Sequence, residues 1–235
     1  MIKAIFFDVG STLIDANPDI DGVFYEKARA RGHQIDSQTV SAHLDTVNRF
    51  YEKEYLKDGD FWCSPEGSVE MYLEMYRYLA HLVGLEQDAD GIAQDVHDAY
   101  LKPEYWKVYS DVPGCLKALK KRHYQVGVVS NWAPNLENLL RGLGLVPYFD
   151  EIISSANVGY RKPDPVIFTL LLEKLNLKPN EVLHVGDRVD ADGIGARCAG
   201  IEPIIIDRTA RGVDEGYLQI QCLDELLLLI DDLRI

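Results

Sequence analysis

The chain has 235 residues, 47% of them hydrophobic, so it can bury the core of one large domain or of a core domain with an insertion. Its 38 acidic and 24 basic residues give a net charge of -14, which argues against nucleic acid and anionic membranes as partners. Its four cysteines form no CxxC pair and no apolar run is long enough to cross a bilayer, so we expect a cytoplasmic protein with reduced thiols.

The chain opens on a short apolar run, residues 2–7, that is typical of a central parallel strand buried on both faces. Asp8 follows this run directly, and the small residues Gly10 and Ser11 come next. A carboxylate at the carboxyl end of such a strand lies where open α/β sheets usually bind their ligands. Taken alone, Asp8 could equally be a turn cap.

The next region, residues 21–100, has apolar residues at helical spacing and predicts four helices with no strand. The segment Asp58 to Ser64 separates the middle pair, and its Phe61 and Trp62 either reach toward a ligand pocket or pack the helices together. We assign most of the aromatic residues at helical spacing to packing, namely Tyr51, Tyr72 and Tyr76.

From Val112 onward helical and strand patterns alternate, which indicates parallel strands joined by right-handed helical crossovers. The predicted helices are residues 113–123, 134–143, a helix opened by Pro165 with Asp164 as its N-cap, 191–199 and 223–233. The predicted strands are residues 125–129, 152–153, 182–185 and 204–206. The sequence therefore predicts an α/β protein, with a Rossmann-like doubly wound parallel sheet and an inserted helical region.

Polar residues follow three of these predicted strands. Ser130 and Asn131 follow one strand and Asp187 follows another, in the position that Asp8 holds after the first strand. Asp192 lies five residues further on and can return to the same edge from the start of its helix. Carboxylates gathered at one edge repel each other, and a hard cation with oxygen ligands, most often Mg²⁺, is the ordinary solution. Lys162, in a loop fixed by the two prolines that follow it, Pro163 and Pro165, is either a counter-charge for this edge or a solvated loop lysine.

These residues resemble the four motifs of the haloacid dehalogenase-like superfamily, in the right order over nearly the whole chain. The motifs correspond to residues 8–12 (Asp-Val-Gly-Ser-Thr), Ser130, Lys162, and Gly186 with Asp187 and Asp192. The resemblance implies a Rossmann-like core, residues 1–14 and 107–235, and a four-helix cap, residues 15–106.

The resemblance also implies a mechanism and a set of site residues. Asp8 is the expected nucleophile, forming an aspartyl-phosphate with a small phosphorylated substrate. The expected Mg²⁺ ligands are Asp8, the Gly10 carbonyl, Asp187 and, directly or through water, Asp192. The groups expected to hold the phosphoryl oxygens are Ser130, the Asn131 amide and Lys162, and Thr12 is expected to brace the loop that follows the first strand.

One position departs from the family's phosphatase pattern. Where those enzymes carry a second Asp as general acid and base, this chain has Gly10, and losing such a group typically costs ~10²–10⁴-fold in rate. Asp15 and His184 offer no clear replacement. Metal-independent 2-haloacid dehalogenases also lack that Asp, so a dehalogenase is the catalytic alternative, and a phosphate-binding protein that turns over poorly is the non-catalytic one.

Two features weigh on this choice and on the substrate. Asp187 and Asp192 favour the Mg²⁺-dependent phosphohydrolase. In a metal-free site their like charges would raise the pKa of Asp8 and make it a weaker nucleophile. Arg188, next to Asp187, either meets an anionic group of the substrate or pairs with Asp190 or another acid. The sequence indicates no particular metabolite and no oligomeric state.

Overall fold

The structure is a computed structural model that describes residues 1–57, 60–210, 212 and 216–232. Its strands are β1 (Ala4–Phe7), β2 (Ile14–Ala16), β3 (Trp106–Val108), β4 (Gln125–Ser130), β5 (Glu151–Ser154), β6 (Val182–Gly186), β7 (Glu202–Ile206) and β8 (Leu218–Ile220). Its α-helices are α1 (Ile20–Ala30), α2 (Ser37–Ser41), α3 (Leu44–Leu56), α4 (Pro65–Leu82), α5 (Ala89–Tyr100), α6 (Val112–Lys121), α7 (Leu136–Gly142), α8 (Ser155–Val158), α9 (Pro165–Leu175), α10 (Ile194–Cys198) and α11 (Leu223–Asp232).

Six strands form one parallel sheet in the order β5-β4-β1-β6-β7-β8. Strand β1 lies between β4 and β6, and Phe7 at its end is level with Val128 on one side and Val185 on the other. The order of the strands reverses around β1, and this switch point is where such sheets bind ligands. The predicted doubly wound α/β fold is confirmed.

Both faces of β1 are covered, as its unbroken apolar sequence predicts. Ile5 and Phe7 face a core that includes side chains of α6, α7 and α11, whereas Ala4 and Phe6 face α9 and α10. All four of these residues have no solvent exposure. The central strand and the carboxylate that follows it are therefore held from both sides of the sheet.

Helices α1 to α5 form a separate hydrophobic cluster between β2 and β3. We expected four helices here, but the segment predicted to be the second helix is divided into α2 and α3 by Ala42 and His43. The short strands β2 and β3, which the sequence did not predict, pair antiparallel where the chain leaves and re-enters the sheet region. The pairing of β2 with β3 thus holds together the two connections between the sheet and the helices.

The helix predicted to start at Pro165 is confirmed, with Asp164 as its N-cap accepting a hydrogen bond from the Val166 N–H at 2.9 Å. The helix predicted at residues 191–199 instead starts as a π-helical turn, Val189–Gly193, before α10. The last residue of the predicted closing helix, Leu233, lies outside the described residues. None of the helices in the described ranges combines the length and apolar character needed to cross a membrane.

Candidate active site

The carboxyl ends of β1, β4 and β6 bring together the residues that the sequence placed there. Asp8 follows β1 and its N–H donates to the Val185 carbonyl of β6 at 2.9 Å. Ser130 ends β4, and its hydroxyl donates to Asp8 Oδ1 at 2.9 Å. Three neighbouring strands thus fix the position of one buried carboxylate, which is 7% exposed.

Lys162 provides the positive charge of this cluster from the loop before α9. Its Nζ lies 2.5 Å from Asp8 Oδ1 and 2.6 Å from Asp192 Oδ1, and the residue is 2% exposed. Burial would lower the pKa of Lys162, but the Asp192 and Asp8 carboxylates outweigh burial and hold that pKa above its ordinary value. Lys162 is therefore a buried cation shared by two acids, and the solvated alternative is wrong.

Asp192 is held by a full set of hydrogen bonds. Its Oδ1 accepts from Lys162 and lies 2.8 Å from His184 Nε2, and its Oδ2 accepts from the Arg188 N–H at 3.1 Å. Burial would raise the pKa of Asp192, but Lys162 and His184 outweigh it and keep the pKa below its ordinary value. A Cβ atom on Gly186 would lie 2.2 Å from Asp192 Cγ, so glycine is needed for the carboxylate to approach β6 this closely.

His184 contacts this cluster in a way that the sequence reasoning, which considered it only as a replacement for the missing general acid, did not predict. It lies inside β6 with no solvent exposure, and its ring packs against Phe168 with centroids 4.9 Å apart. Because an ionised carboxylate only accepts, the Nε2 facing Asp192 carries the proton. A histidine within an otherwise apolar strand was the one signal in the sequence that it had a buried polar partner.

Asp187 differs from its neighbours because its carboxylate makes no hydrogen bond or ion pair with any residue that the structure describes. Burial, followed by the nearby carboxylates of Asp8 and Asp192, raises its pKa to about 8. One oxygen from each of these three residues lies within 4.8 Å of the others. Three acids facing one lysine leave excess negative charge, and hard oxygen donors at this separation fit Mg²⁺.

Around Asp8, burial raises the carboxylate's pKa, the Lys162 ammonium opposes that rise and the Asp192 carboxylate adds to it. Asp8 Oδ1 takes both the Ser130 and the Lys162 hydrogen bonds. Among the described residues nothing donates to Oδ2. A divalent cation at the acid cluster would favour the ionised form that a nucleophile needs.

Three other predicted residues take more specific positions than the sequence could assign. The Asn131 side chain accepts from the Lys162 N–H at 2.7 Å and donates to the Lys162 carbonyl at 3.0 Å, so here it holds the lysine's backbone. Thr12 has no solvent exposure, and its carbonyl accepts two hydrogen bonds from Arg208. No described residue donates to the Gly10 carbonyl, which leaves that oxygen available as a ligand.

A cavity of about 790 Å³ lies between helices α1 and α3 to α5 on one side and the loops after the strands on the other. Its lining includes Ser11, Trp132 and Asp187, so it opens onto the acid cluster. Tyr51, Tyr72 and Tyr76, which we assigned to packing, also line it. Their spacing predicts helical burial correctly but does not show that part of each ring lines a cavity.

The remaining candidates pack rather than face the cavity. Trp62 is 2% exposed, and the centroid of its ring lies 5.5 Å from that of Tyr72, which agrees with the packing alternative for this segment. Asp58 and Gly59 lie outside the described residues. Arg188 pairs with Glu52 of α3 at 2.9 Å and with Asp190 at 2.9 Å. The pairing alternative for Arg188 is therefore the one observed.

Comparison with known proteins agrees with this arrangement. Residues 2–200 match the family described as haloacid dehalogenase-like hydrolase. The chain is 28% identical over 211 residues to haloacid dehalogenase-like hydrolase domain-containing protein 3 of Danio rerio, with 88% of this chain and 86% of the relative covered. It is 31% identical over 216 residues to the glyceraldehyde 3-phosphate phosphatase of Methanopyrus kandleri, with 88% and 85% covered.

Solved structures give the same fold at lower identity. The structure of the HAD-hydrolase YfnB from Bacillus subtilis, bound to magnesium, matches with a TM-score of 0.80 and 18% sequence identity. The match covers 98% of this chain and 99% of that chain. At this identity the likeness concerns the fold alone.

Proposed function

This chain belongs to the haloacid dehalogenase-like hydrolase family, and we propose that it is a Mg²⁺-dependent phosphohydrolase that acts on a small phosphorylated metabolite through an aspartyl-phosphate at Asp8. The observation that carries the proposal is the cluster of Asp8, Asp187 and Asp192, with one oxygen of each within 4.8 Å of the others. The relative named as a glyceraldehyde 3-phosphate phosphatase supports a small phosphorylated substrate.

In this proposal Asp8 attacks the phosphorus of the substrate in line. A carboxylate oxygen forms a bond to phosphorus, the bond to the leaving oxygen breaks, and that oxygen takes up a proton from solvent or leaves as an anion. Water then attacks phosphorus in the aspartyl-phosphate, which releases inorganic phosphate and restores Asp8. When bound, Mg²⁺ would neutralise negative charge on the carboxylates and the phosphoryl group. The proposed ligands of the ion are Asp8, the Gly10 carbonyl and Asp187, with Asp192 as a ligand directly or through water.

Lys162 and Ser130 are the proposed donors to the phosphoryl oxygens, because both already point at Asp8 Oδ1. Their positions are fixed before substrate binds, Lys162 by Asp192 and by the Asn131 side chain, and Ser130 by the end of β4. Preorganised donors of this kind stabilise developing charge without a cost of reorientation during the reaction. Catalysis here would come mainly from position and charge.

We further propose that residues 15–106 act as a cap over the site. Several contacts join this region to the loops that follow β4 and β6, among them the Arg188 pair with Glu52 and the Asn131 side chain that lies 3.4 Å from the Tyr55 hydroxyl. The Arg188 guanidinium also lies 4.5 Å from the centre of the Tyr55 ring. These contacts would exclude water from the site when a substrate is bound.

A haloacid dehalogenase is the second candidate, and Gly10 is the observation that favours it. Halide leaves as an anion and needs no general acid at that position. However, the carboxylate of Asp187, which has no partner among the described residues, has no use beside Asp8 in a metal-free site, and it favours the phosphohydrolase. Phosphate release from acetyl phosphate with Mg²⁺ and with a chelator, measured beside halide release from 2-chloropropionate, tests the choice. Mg²⁺-dependent phosphate release supports the proposal, and halide release that is insensitive to the chelator overturns it.

A further inference from the structure

A continuous row of aromatic rings forms part of the wall of the cavity beside the acid cluster. Neighbouring centroids are 5.1 to 6.4 Å apart along the row, which consists of Tyr72, Tyr76, Tyr100, Trp106 and Trp132. The row starts in the helices α4 and α5 and ends next to Gly10. Aromatic faces carry partial negative charge, so such a wall attracts organic cations as well as apolar groups.

The charged residues that line this cavity are mostly acids. Among the described residues of the lining, the acids are Asp15, Asp19, Asp187 and Asp207, and the only lysine or arginine is Arg208. All three nitrogens of the Arg208 guanidinium already donate, two to the Thr12 carbonyl and one to Asp111. The guanidinium is therefore committed to the protein and is poorly placed to bind a second anionic group of a substrate.

Asp19 is, like Asp187, an acid of the lining whose carboxylate has no partner among the described residues. Its carboxylate makes no hydrogen bond or ion pair within the described ranges, whereas Asp15 accepts from the Tyr109 hydroxyl at 2.8 Å. Asp19 is an exposed residue, and partial desolvation, followed by the Asp15 and Asp21 carboxylates, raises the pKa of its side chain. A cation in the cavity would relieve that repulsion, whereas an anion would add to it.

His97 is the histidine among the described residues of the lining. Its Nδ1 is enclosed by protein, with Asp98 Oδ1 3.6 Å away, so this atom is not offered to a ligand in the cavity. The groups that the wall offers are therefore the aromatic rings and the Asp19 carboxylate.

We propose that this cavity binds the alcohol part of a phosphate monoester that carries an organic ammonium group, and that it discriminates against substrates with a second anionic group. The inference rests on the proposed phosphohydrolase function, because the phosphate end is taken to lie at Asp8 and Asp187. The ammonium group would lie against the faces of the aromatic row and near Asp19. Binding of the ammonium group adds no chemical step to the phosphohydrolase reaction.

The test compares two substrates of the same shape that differ in charge. These are phosphocholine and 3,3-dimethylbutyl phosphate, in which carbon replaces the ammonium nitrogen, with phosphoglycolate as the anionic compound. We expect kcat/KM for phosphocholine to exceed that for the carbon analogue by about tenfold, given the usual strength of cation–π and charge contacts. Asp19→Asn should reduce this ratio, whereas Asp45→Asn should leave it unchanged; Asp45 is an exposed acid of α3 outside the cavity.

A binding measurement separates this inference from the proposed function. Calorimetry on the Asp8→Asn protein with Mg²⁺ compares the affinities of phosphocholine and its carbon analogue without turnover. Tighter binding of phosphocholine supports the inference even if no ester is hydrolysed, which would count only against the phosphohydrolase. Equal affinities, or a preference for phosphoglycolate, overturn the inference even if acetyl phosphate is hydrolysed normally.

Discussion

The Cζ3 atom of Trp132 lies 3.4 Å from the position that a Cβ atom would take on Gly10. Trp132 is 8% exposed and is held by the ring of Trp106, with centroids 5.1 Å apart. The space beside residue 10, where the family's phosphatases have a second Asp, is thus bounded by an indole ring. A methyl group fits this contact, but the longer carboxylate of Asp must share the space with Trp132.

The first prediction concerns the missing general acid. Gly10→Asp should raise turnover of alkyl phosphates, whose leaving groups need a proton, and should change turnover of acetyl phosphate little. The double change Gly10→Asp with Trp132→Ala should gain more, toward the ~10²–10⁴-fold that a general acid supplies. Steady-state kinetics on both substrate types measures this. An equal gain on both, or no gain in either variant, would show that proton transfer at residue 10 does not limit the reaction.

The second prediction concerns the buried lysine. Lys162→Met leaves Asp8 and Asp192 buried without their counter-charge, and breaking a buried pair in this way costs roughly 3–5 kcal/mol in the free energy of unfolding. The cost should shrink at low pH, where the carboxylates take up protons. Urea unfolding at two pH values measures it. Lys174→Met, which removes the exposed pair with Glu151, should change stability little at either pH.

The third prediction is the pH dependence of metal binding. The pKa of Asp187 in the folded protein is about 8, above its ordinary value of 3.8. Its contribution to stability is therefore full below the ordinary value and is lost as the pH rises through about 8. Mg²⁺ binds the ionised form, so the increase in Tm that Mg²⁺ causes should grow across this window. Thermal unfolding with and without Mg²⁺ measures it, and an increase in Tm that is constant with pH, or that survives in Asp187→Asn, would contradict it.

The fourth prediction concerns the close approach of Asp192 to β6. Gly186→Ala places a methyl group 2.2 Å from Asp192 Cγ, so the carboxylate must move away from Lys162 and His184. We expect a large loss of activity in a protein that still folds. Gly114→Ala in α6 is the matched control, since nothing lies within 4 Å of the added methyl group there. If both variants kept full activity, the position of Asp192 would not matter for catalysis.

The sequence predicted the sheet and the convergence of its strand ends well. One apolar run ends at Asp8 and another ends just before Asp187. Because the parallel topology places β1 beside β6, these two runs are enough to predict that the two carboxylates meet. The start of α9 was also predicted correctly, because Asp164 as N-cap and Pro165 in the first turn together specify the N-terminus of a helix. These features depend on short stretches of chain and on one topological rule.

The features that were missed depend on residues far apart in the chain. Strands β2 and β3 are three residues long and exist because they pair with each other across the whole helical insertion. His184 gains its role from Asp192 through the π-helical turn, Val189–Gly193, which no spacing rule predicted. The tyrosines of α4 have the same helical spacing whether their rings pack against other helices or line a cavity, so only the fold shows which of them line it.

The most direct test of the central claim is to trap the covalent intermediate. Protein mixed with acetyl phosphate and Mg²⁺, quenched rapidly in acid and mapped by mass spectrometry, should carry a phosphoryl group on Asp8. The label should be absent from Asp8→Asn and from protein treated with a chelator. Phosphate release without a label on Asp8, a label on another residue, or labelling that is unchanged by the chelator would contradict the account.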